Sequence, residues 1–243
     1  MTSKKLVALQ FNYKEFDFEE NFKKFSSLVK KSPKNSIITA PELCLSNFCY
    51  QNMQKAVDFS KEIKNEIKQL SKDKTISLTM MEKDGNAFVN RAKVYHNGKL
   101  AFQRDKYQLF KFGNEDKYFK AGKAEDIKIF EIEGIKYAII ICFELRFIDI
   151  WKRIQGADIV LVPSLWGKLR KKHLEILGNA LSLANQCFVC IANSADSDMA
   201  KSSLISSPFG KMYKDDRKSL LQKSIDLKEI KKMRKYLNVG IIN

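Results

Sequence analysis

The stretch YAIIICFELRF, residues 137–147, joins five apolar residues to a cysteine and then changes abruptly to charged side chains. A short apolar run of this kind is typical of a strand buried inside a sheet. The predicted strand ends at Cys142 and a helix is predicted to follow, so amides at the start of that helix would favour a thiolate. Because free cysteine is also among the most buried residue types, a purely structural role for Cys142 stays open at this point.

Strand and helix patterns alternate on both sides of this stretch. Residues 5–11 and 36–43 are predicted strands, and the helix between them has apolar residues at helical spacing. A further helix is predicted over residues 60–73. No repeat or Pro/Gly-rich linker divides the sequence, which predicts one domain over residues 1–243 with helices covering the sheet faces.

Antiparallel hairpins are predicted among these α/β units. Asp84-Gly85 and Asn97-Gly98 are dipeptides that tight hairpins prefer, and a third hairpin is predicted at Glu133-Gly134. Residues 105–122 are predicted to form a long loop. The sheets are therefore expected to be mixed rather than purely parallel.

Composition excludes several classes of protein. Hydrophobic residues make up 44% and charged residues 30% of the 243 residues, as in globular proteins. The net charge of +16 raises the question of a nucleic-acid partner, but the lysines are scattered and interleaved with acidic residues, and no nucleic-acid motif accompanies them. We therefore expect neither a nucleic-acid partner nor, since the apolar runs are too short to span a bilayer, a membrane segment.

The five cysteines give an expectation about the cellular compartment. An odd number in a chain of this length does not fit a secreted disulfide framework. The opening residues also lack the apolar centre and small-residue cleavage site of a signal peptide. A reducing, cytoplasmic location is expected.

Two further strand ends carry an ionisable residue. Glu42 follows the apolar run SIITAP, and Lys106 follows the strand pattern KLAFQRD. Proteins of the α/β class bind ligands at the carboxyl ends of sheet strands. Together with Cys142 these residues are candidates for a site, although each charged residue is also compatible with a surface position.

Three motifs in this order resemble the nitrilase, or carbon-nitrogen hydrolase, superfamily. They are APELCLSNF at residues 40–48, RDKYQLF at residues 104–110 and ICFELRF at residues 141–147. The resemblance extends to LVPSLW at residues 161–166 and to most of the remaining chain. It implies a four-layer α-β-β-α sandwich of two mostly six-stranded sheets, a homodimer or larger homo-oligomer, and no metal or organic cofactor.

The resemblance also implies roles for individual residues. Glu42 corresponds to the general base, Cys142 to the nucleophile that forms a thioester, and Lys106 to the cation that stabilises the oxyanion. Glu115 matches a second glutamate that holds substrate and lysine. A backbone N–H after the nucleophile, that of Phe143, would complete the oxyanion site.

The substrate implied by the resemblance is a small amide. Residues 142–147, CFELRF, are similar to the amidase type of this motif, and residues 164–173 resemble the omega-amidase branch, which acts on monoamides of dicarboxylic acids. Arg146 or Arg170 would then pair with the distal carboxylate. Trp166 would wall the pocket. Structural or surface roles for the arginines and core packing for the tryptophan stay open.

Other functions are compatible with the same residues. An N-carbamoyl or nitrile substrate, transfer of the acyl group to an amine, and a non-catalytic binding role are all compatible with the motifs. A papain-like pair of Cys142 with His96 or His173 is a further alternative. Cys187 and Cys190 have a C-x-x-C spacing, but no second ligand pair follows them, so no metal site is predicted.

Overall fold

The computed structural model describes residues 3–241, which form two six-stranded sheets. The strands are β1 (Ser3–Leu9), β2 (Ser36–Thr39), β3 (Thr75–Asp84), β4 (Ala87–His96), β5 (Lys99–Asp105), β6 (Phe130–Ile132), β7 (Ile135–Ile139), β8 (Ile159–Pro163), β9 (Phe188–Ala192), β10 (Leu204–Ser206), β11 (Met212–Lys214) and β12 (Leu220–Asp226). The helices are α1 (Phe18–Lys31), α2 (Met53–Glu62), α3 (Lys64–Leu70), α4 (Glu115–Tyr118), α5 (Ile148–Arg153), α6 (Lys171–Ala184) and α7 (Lys228–Tyr236). Short 3-10 helices lie at Tyr50–Asn52, Lys111–Gly113, Ala124–Asp126, Cys142–Arg146 and Lys168–Arg170.

Each sheet has a parallel centre and antiparallel edges. The first has the order β12-β1-β2-β3-β4-β5, with β1, β2 and β3 parallel, and the second has the order β11-β10-β9-β8-β7-β6, with β7, β8 and β9 parallel. The three predicted hairpins are confirmed. Their turn glycines Gly85, Gly98 and Gly134 all have positive φ, which glycine adopts without a Cβ penalty.

The core follows from the alternation of side chains along each strand. In β1, Leu6 and Ala8 lie in the core between the two sheets, whereas Val7 and Leu9 lie in the core beneath α1, α2 and α3. Helices α5 and α6 cover the outer face of the second sheet, where Leu174 and Leu181 of α6 are buried. The predicted four-layer α-β-β-α sandwich is confirmed. Within residues 3–241, no helix combines the length and apolar character needed to span a membrane.

Two predicted segments differ from the structure. The helix predicted over residues 60–73 begins earlier, at Met53, and is interrupted at Ile63, which separates α2 from α3. Ile63 stays buried at this break, so the apolar face continues across both helices. The predicted loop over residues 105–122 contains α4, which begins at Glu115 directly after Asn114 in the left-handed conformation.

Candidate active site

The candidate residues follow three strand ends that meet at one edge of the sandwich. Glu42 lies three residues after β2, Lys106 lies directly after β5, and Cys142 lies three residues after β7. Strands β2 and β5 belong to the first sheet and β7 to the second. The backbone N–H of Glu42 donates to the Ser164 carbonyl oxygen after β8 at 3.1 Å, which connects the two sheets at this edge.

Lys106 lies between two buried carboxylates. Its Nζ is 2.7 Å from Glu42 Oε1 and 2.8 Å from Glu115 Oε1. The three side chains are at most 4% exposed. Glu115 Oε2 also accepts a hydrogen bond from the Phe110 backbone N–H at 3.1 Å. The structure therefore brings Glu42, Lys106 and Glu115 together, as the sequence motifs led us to expect.

Burial and the charges in this cluster shift the pKa values of Lys106 and Glu115. Burial acts to lower the pKa of Lys106, but the negative charges of Glu42 and Glu115 outweigh it and raise that pKa above its usual range. Burial raises the pKa of Glu115 even though the charge of Lys106 opposes the shift. Lys106 is thus a fixed cation, and two carboxylates share its charge.

Residues that the motif analysis missed hold Glu42 in place. Asn90 Nδ2 donates to Glu42 Oε1 at 2.9 Å, and the carbonyl oxygen of Asn90 accepts from the Lys106 backbone N–H at 2.8 Å. The Tyr13 hydroxyl donates to the carbonyl oxygen of Glu42 at 3.0 Å. Glu42 Oε2 is buried and has no hydrogen-bond partner among residues 3–241. One carboxylate oxygen is therefore occupied by two donors and the other is available.

Cys142 begins a 3-10 helix in an unusual backbone conformation. Its φ is +47°, in the left-handed region, and only 7% of the residue is exposed. The Leu165 backbone N–H donates to its Sγ at 3.4 Å. Burial and then the negative charge of Glu42 raise the pKa of the thiol well above its usual value. The expectation that helix amides favour a thiolate is wrong, because burial and the carboxylate dominate.

A small cavity of about 30 Å³ opens beside Cys142. All four residues that the sequence suggested as substrate contacts line it: Phe143, Arg146, Trp166 and Arg170. The apolar side chains of Phe110 and Leu165 complete the lining. The Arg146 guanidinium stacks 4.5 Å from the centre of the Trp166 ring, and Arg170 lies 5.3 Å from that of Phe110. The Trp166 indole N–H is buried without a partner among the described residues.

The two arginines give the pocket a positive wall. Neither Arg146 nor Arg170 forms an ion pair with a carboxylate within residues 3–241. Burial and then the positive charge of Arg170 lower the pKa of Arg146. Arg146 Nη2 donates to His173 Nδ1 at 3.0 Å. The wall is suited to an anionic group.

The remaining cysteines and the two histidines form no hydrogen bond with Cys142 within residues 3–241. His96, at the far end of β4, bonds to the Thr75 hydroxyl, and His173 bonds to Arg146, so the papain-like alternative has no support. All five cysteines are free and buried. Cys44 and Cys49 pack in the hydrophobic core of the first sheet. No group of three or more His, Cys, Asp and Glu suited to a metal occurs within residues 3–241.

Comparison with known families agrees with the fold. The family model described as carbon-nitrogen hydrolase matches residues 5–235. The chain belongs to the carbon-nitrogen hydrolase family. The resemblance stated from the three motifs is thereby confirmed.

Individual relatives match most of the chain. The chain is 25% identical over 249 residues to 2-oxoglutaramate amidase of Bacillus subtilis, covering 96% of this chain and 95% of that protein. It is 26% identical over 201 residues to omega-amidase YafV of Yersinia enterocolitica, covering 82% and 77%. The crystal structure of Saccharomyces cerevisiae Nit3, a member of the nitrilase superfamily, has a TM-score of 0.84 at 18% identity and covers 98% and 96% of the two chains.

Proposed function

We propose that this carbon-nitrogen hydrolase is an amidase that acts on small monoamides of dicarboxylic acids. The observation that carries the proposal is that Cys142 and two arginines, Arg146 and Arg170, line the same small pocket. The arginines have no carboxylate partner among the described residues, so a substrate carboxylate would supply one. Relatives named 2-oxoglutaramate amidase and omega-amidase support the same substrate class.

The proposed reaction begins with transfer of the thiol proton from Cys142 to Glu42. Glu42 Oε2 has no hydrogen-bond partner in the described part of the chain, which leaves it free to accept that proton. The sulfur then attacks the amide carbon, and negative charge develops on the carbonyl oxygen. Lys106 and the backbone N–H of Phe143, the second residue of its 3-10 helix, balance that charge.

Breakdown of this tetrahedral intermediate releases ammonia. Glu42 returns its proton to the leaving nitrogen, the C–N bond breaks, and a thioester to Cys142 remains. Water, deprotonated by Glu42, attacks the thioester and releases the acid, and the proton returns to the sulfur. Glu115 contributes by holding Lys106, whose Nζ donates to Glu115 Oε1 at 2.8 Å.

Pocket size supports a small substrate. The cavity of about 30 Å³ lies well below the range of about 300–1,000 Å³ typical of sites for drug-sized ligands. The apolar rings of Phe110, Phe143 and Trp166 would enclose a short carbon chain between the two polar ends of the substrate. One end reacts at Cys142, and the other meets the arginines.

Ammonia release from a panel of small compounds tests the proposal. The panel contains 2-oxoglutaramate and succinamate, neutral amides, N-carbamoyl compounds and nitriles, with the Cys142→Ala protein as control. We expect Cys142-dependent release confined to the amides that carry a carboxylate. Release from another class alone would refute the assigned specificity, and transfer to an added amine in place of hydrolysis would identify an acyltransferase.

We also propose that the chain forms a single domain and assembles as a homodimer in the cytoplasm. Exposed apolar side chains on α5 and α6 support the dimer: Ile148 is 65% exposed and Ile176 is 64% exposed. Free cysteines fit a reducing compartment. Sedimentation of the Ile148→Glu/Ile176→Glu protein is expected to show a monomer where the unaltered chain is dimeric, and an unchanged sedimentation coefficient would contradict the assigned surface.

A further inference from the structure

A buried ion pair joins the strand that carries Lys106 to the segment that carries Cys142. Arg104 lies on β5 in the first sheet, two residues before Lys106, and Glu144 lies two residues after Cys142, beyond the end of β7 in the second sheet. Their side chains are 1% and 0% exposed. Arg104 Nη1 donates to Glu144 Oε1 at 3.0 Å, and Arg104 Nη2 donates to Glu144 Oε2.

Both side chains of the pair also bind the backbone next to the candidate catalytic residues. Glu144 Oε1 accepts from the N–H of Tyr107 at 2.8 Å, and Glu144 Oε2 accepts from the N–H of Ile141 at 2.7 Å. Arg104 Nη2 donates to the carbonyl oxygen of Ile139 at 2.8 Å. Tyr107 directly follows Lys106, and Ile141 directly precedes Cys142. Glu144 therefore holds the backbone next to both residues.

The backbone of Cys142 needs such support. A non-glycine residue held in a sparsely populated φ/ψ region costs about 1–3 kcal/mol and persists only where its surroundings over-determine it. The bond from the Ile141 N–H to Glu144 fixes the peptide that precedes this residue. Burial of two charges is by itself weak evidence for a gain in stability, which favours a geometric role for the pair.

We propose that Arg104 and Glu144 are positioning residues that set the spacing and orientation of Lys106 and Cys142 across the two sheets. This inference rests on the proposed function, in which both residues act on the same carbonyl group. A misplacement of about 1 Å in such an arrangement costs about a hundredfold in rate. Loss of the pair should therefore lower kcat, while the pocket that binds the substrate carboxylate is unchanged.

The test separates positioning from stability by comparing single and double variants. Glu144→Gln and Arg104→Met each leave one buried charge without its partner and should destabilise the fold, whereas the double variant removes both charges and should recover stability. We expect kcat for succinamate to fall about a hundredfold in all three proteins, with KM changed by less than about threefold. Recovery of kcat together with stability in the double variant would overturn the proposal.

A second, partly buried pair, in which the Asp158 side chain is 20% exposed, provides a control. Arg234 Nη1 lies 3.3 Å from Asp158 Oδ1, and Asp158 Oδ2 accepts from the Lys136 backbone N–H at 3.0 Å. Like Glu144, Asp158 pairs with an arginine and accepts a hydrogen bond from the backbone. Asp158 directly precedes β8, however, whereas Ser164 at the active-site edge directly follows that strand. The Arg234→Met/Asp158→Asn protein should keep wild-type kcat, and an equal loss of kcat there would overturn the proposal.

Alkylation of Cys142 by iodoacetamide keeps the test independent of the substrate assignment. If the unaltered protein released no ammonia from any amide, the proposed function would fail, but the alkylation rate would still report the geometry of Glu42 and Cys142. We expect alkylation at Cys142, located by mass spectrometry, to be about tenfold slower in the Arg104→Met/Glu144→Gln protein, because the thiol loses its aligned base. An unchanged or faster rate would overturn the positioning role.

Discussion

Replacing Lys106 by methionine removes the cation of the buried cluster while keeping the length of the side chain. The lost ammonium lies 2.7 Å from Glu42 Oε1 and 2.8 Å from Glu115 Oε1. Both carboxylates are at most 4% exposed, so solvent does not replace the lost cation. Removing one partner from a buried ion pair costs about 3–5 kcal/mol, and we expect the free energy of unfolding to fall by that amount near neutral pH.

This loss of stability should shrink as the pH falls. Burial already raises the pKa of Glu115 against the charge of Lys106, and without Lys106 that pKa rises further. A carboxyl group whose folded pKa exceeds its unfolded value gives stability that is fully present below the unfolded pKa and is lost as the pH rises through the folded pKa. The Lys106→Met protein should therefore regain stability relative to the wild type as Glu115 is protonated.

Urea denaturation of the variant and the wild type at about pH 8, pH 6 and pH 5 measures both effects. Lys93→Met is the matched control, because Lys93 is also a buried lysine but pairs with Glu82, which Arg91 contacts as well. The control should lose less stability and show little dependence on pH. A loss below about 1 kcal/mol for Lys106→Met at pH 8, or the same pH dependence as the control, would refute the account of the cluster.

Three other changes test the proposed roles. Glu42→Gln keeps the shape of the side chain but removes the base, so kcat should fall by about 10²–10⁴-fold in the ammonia assay. Arg146→Met and Arg170→Met should each raise KM for succinamate by about tenfold or more, since a hydrogen bond to a charged group contributes about 1.5–3 kcal/mol. Gly122→Ala should lower both Tm and kcat, because its Cβ would clash with the carbonyl oxygen of Asp105, the residue before Lys106.

Each of these expectations has an outcome that contradicts it. Turnover at the wild-type rate by Glu42→Gln would mean that another group takes the thiol proton. For the arginine variants, an unchanged KM for succinamate would contradict carboxylate recognition. Unchanged melting of Gly122→Ala in a thermal scan would show that the backbone near Asp105 adjusts without cost.

The sequence was informative where a residue type and its place on a strand decide the structure together. Asp84-Gly85 and Asn97-Gly98 predicted their hairpins because tight turns require positive φ, and both were confirmed. Glu42, Lys106 and Cys142 could be placed near one another because strand ends of a layered α/β protein converge on one edge. For these hairpins and strand ends, local chemistry and strand topology predict the same structure.

Other parts of the site depend on contacts that no local pattern reveals. Asn90 reaches Glu42 because β4 lies in the sheet between β3 and β5, and a single asparagine within a strand gives no sign of this. The partner of Glu144 is Arg104, which is 40 positions earlier in the chain. The thiolate expectation for Cys142 failed for a related reason, because it considered the following helix and neither the burial of the thiol nor the carboxylate that the other sheet supplies.

Mass spectrometry of the protein quenched during turnover of succinamate tests the central claim most directly. The account predicts a succinyl group bound as a thioester to the peptide that contains Cys142, formed by the wild type and absent from Cys142→Ala. It also predicts that hydroxylamine removes this group. Steady ammonia release by the wild type with no acyl group on Cys142, together with retained release by Cys142→Ala, would contradict the account.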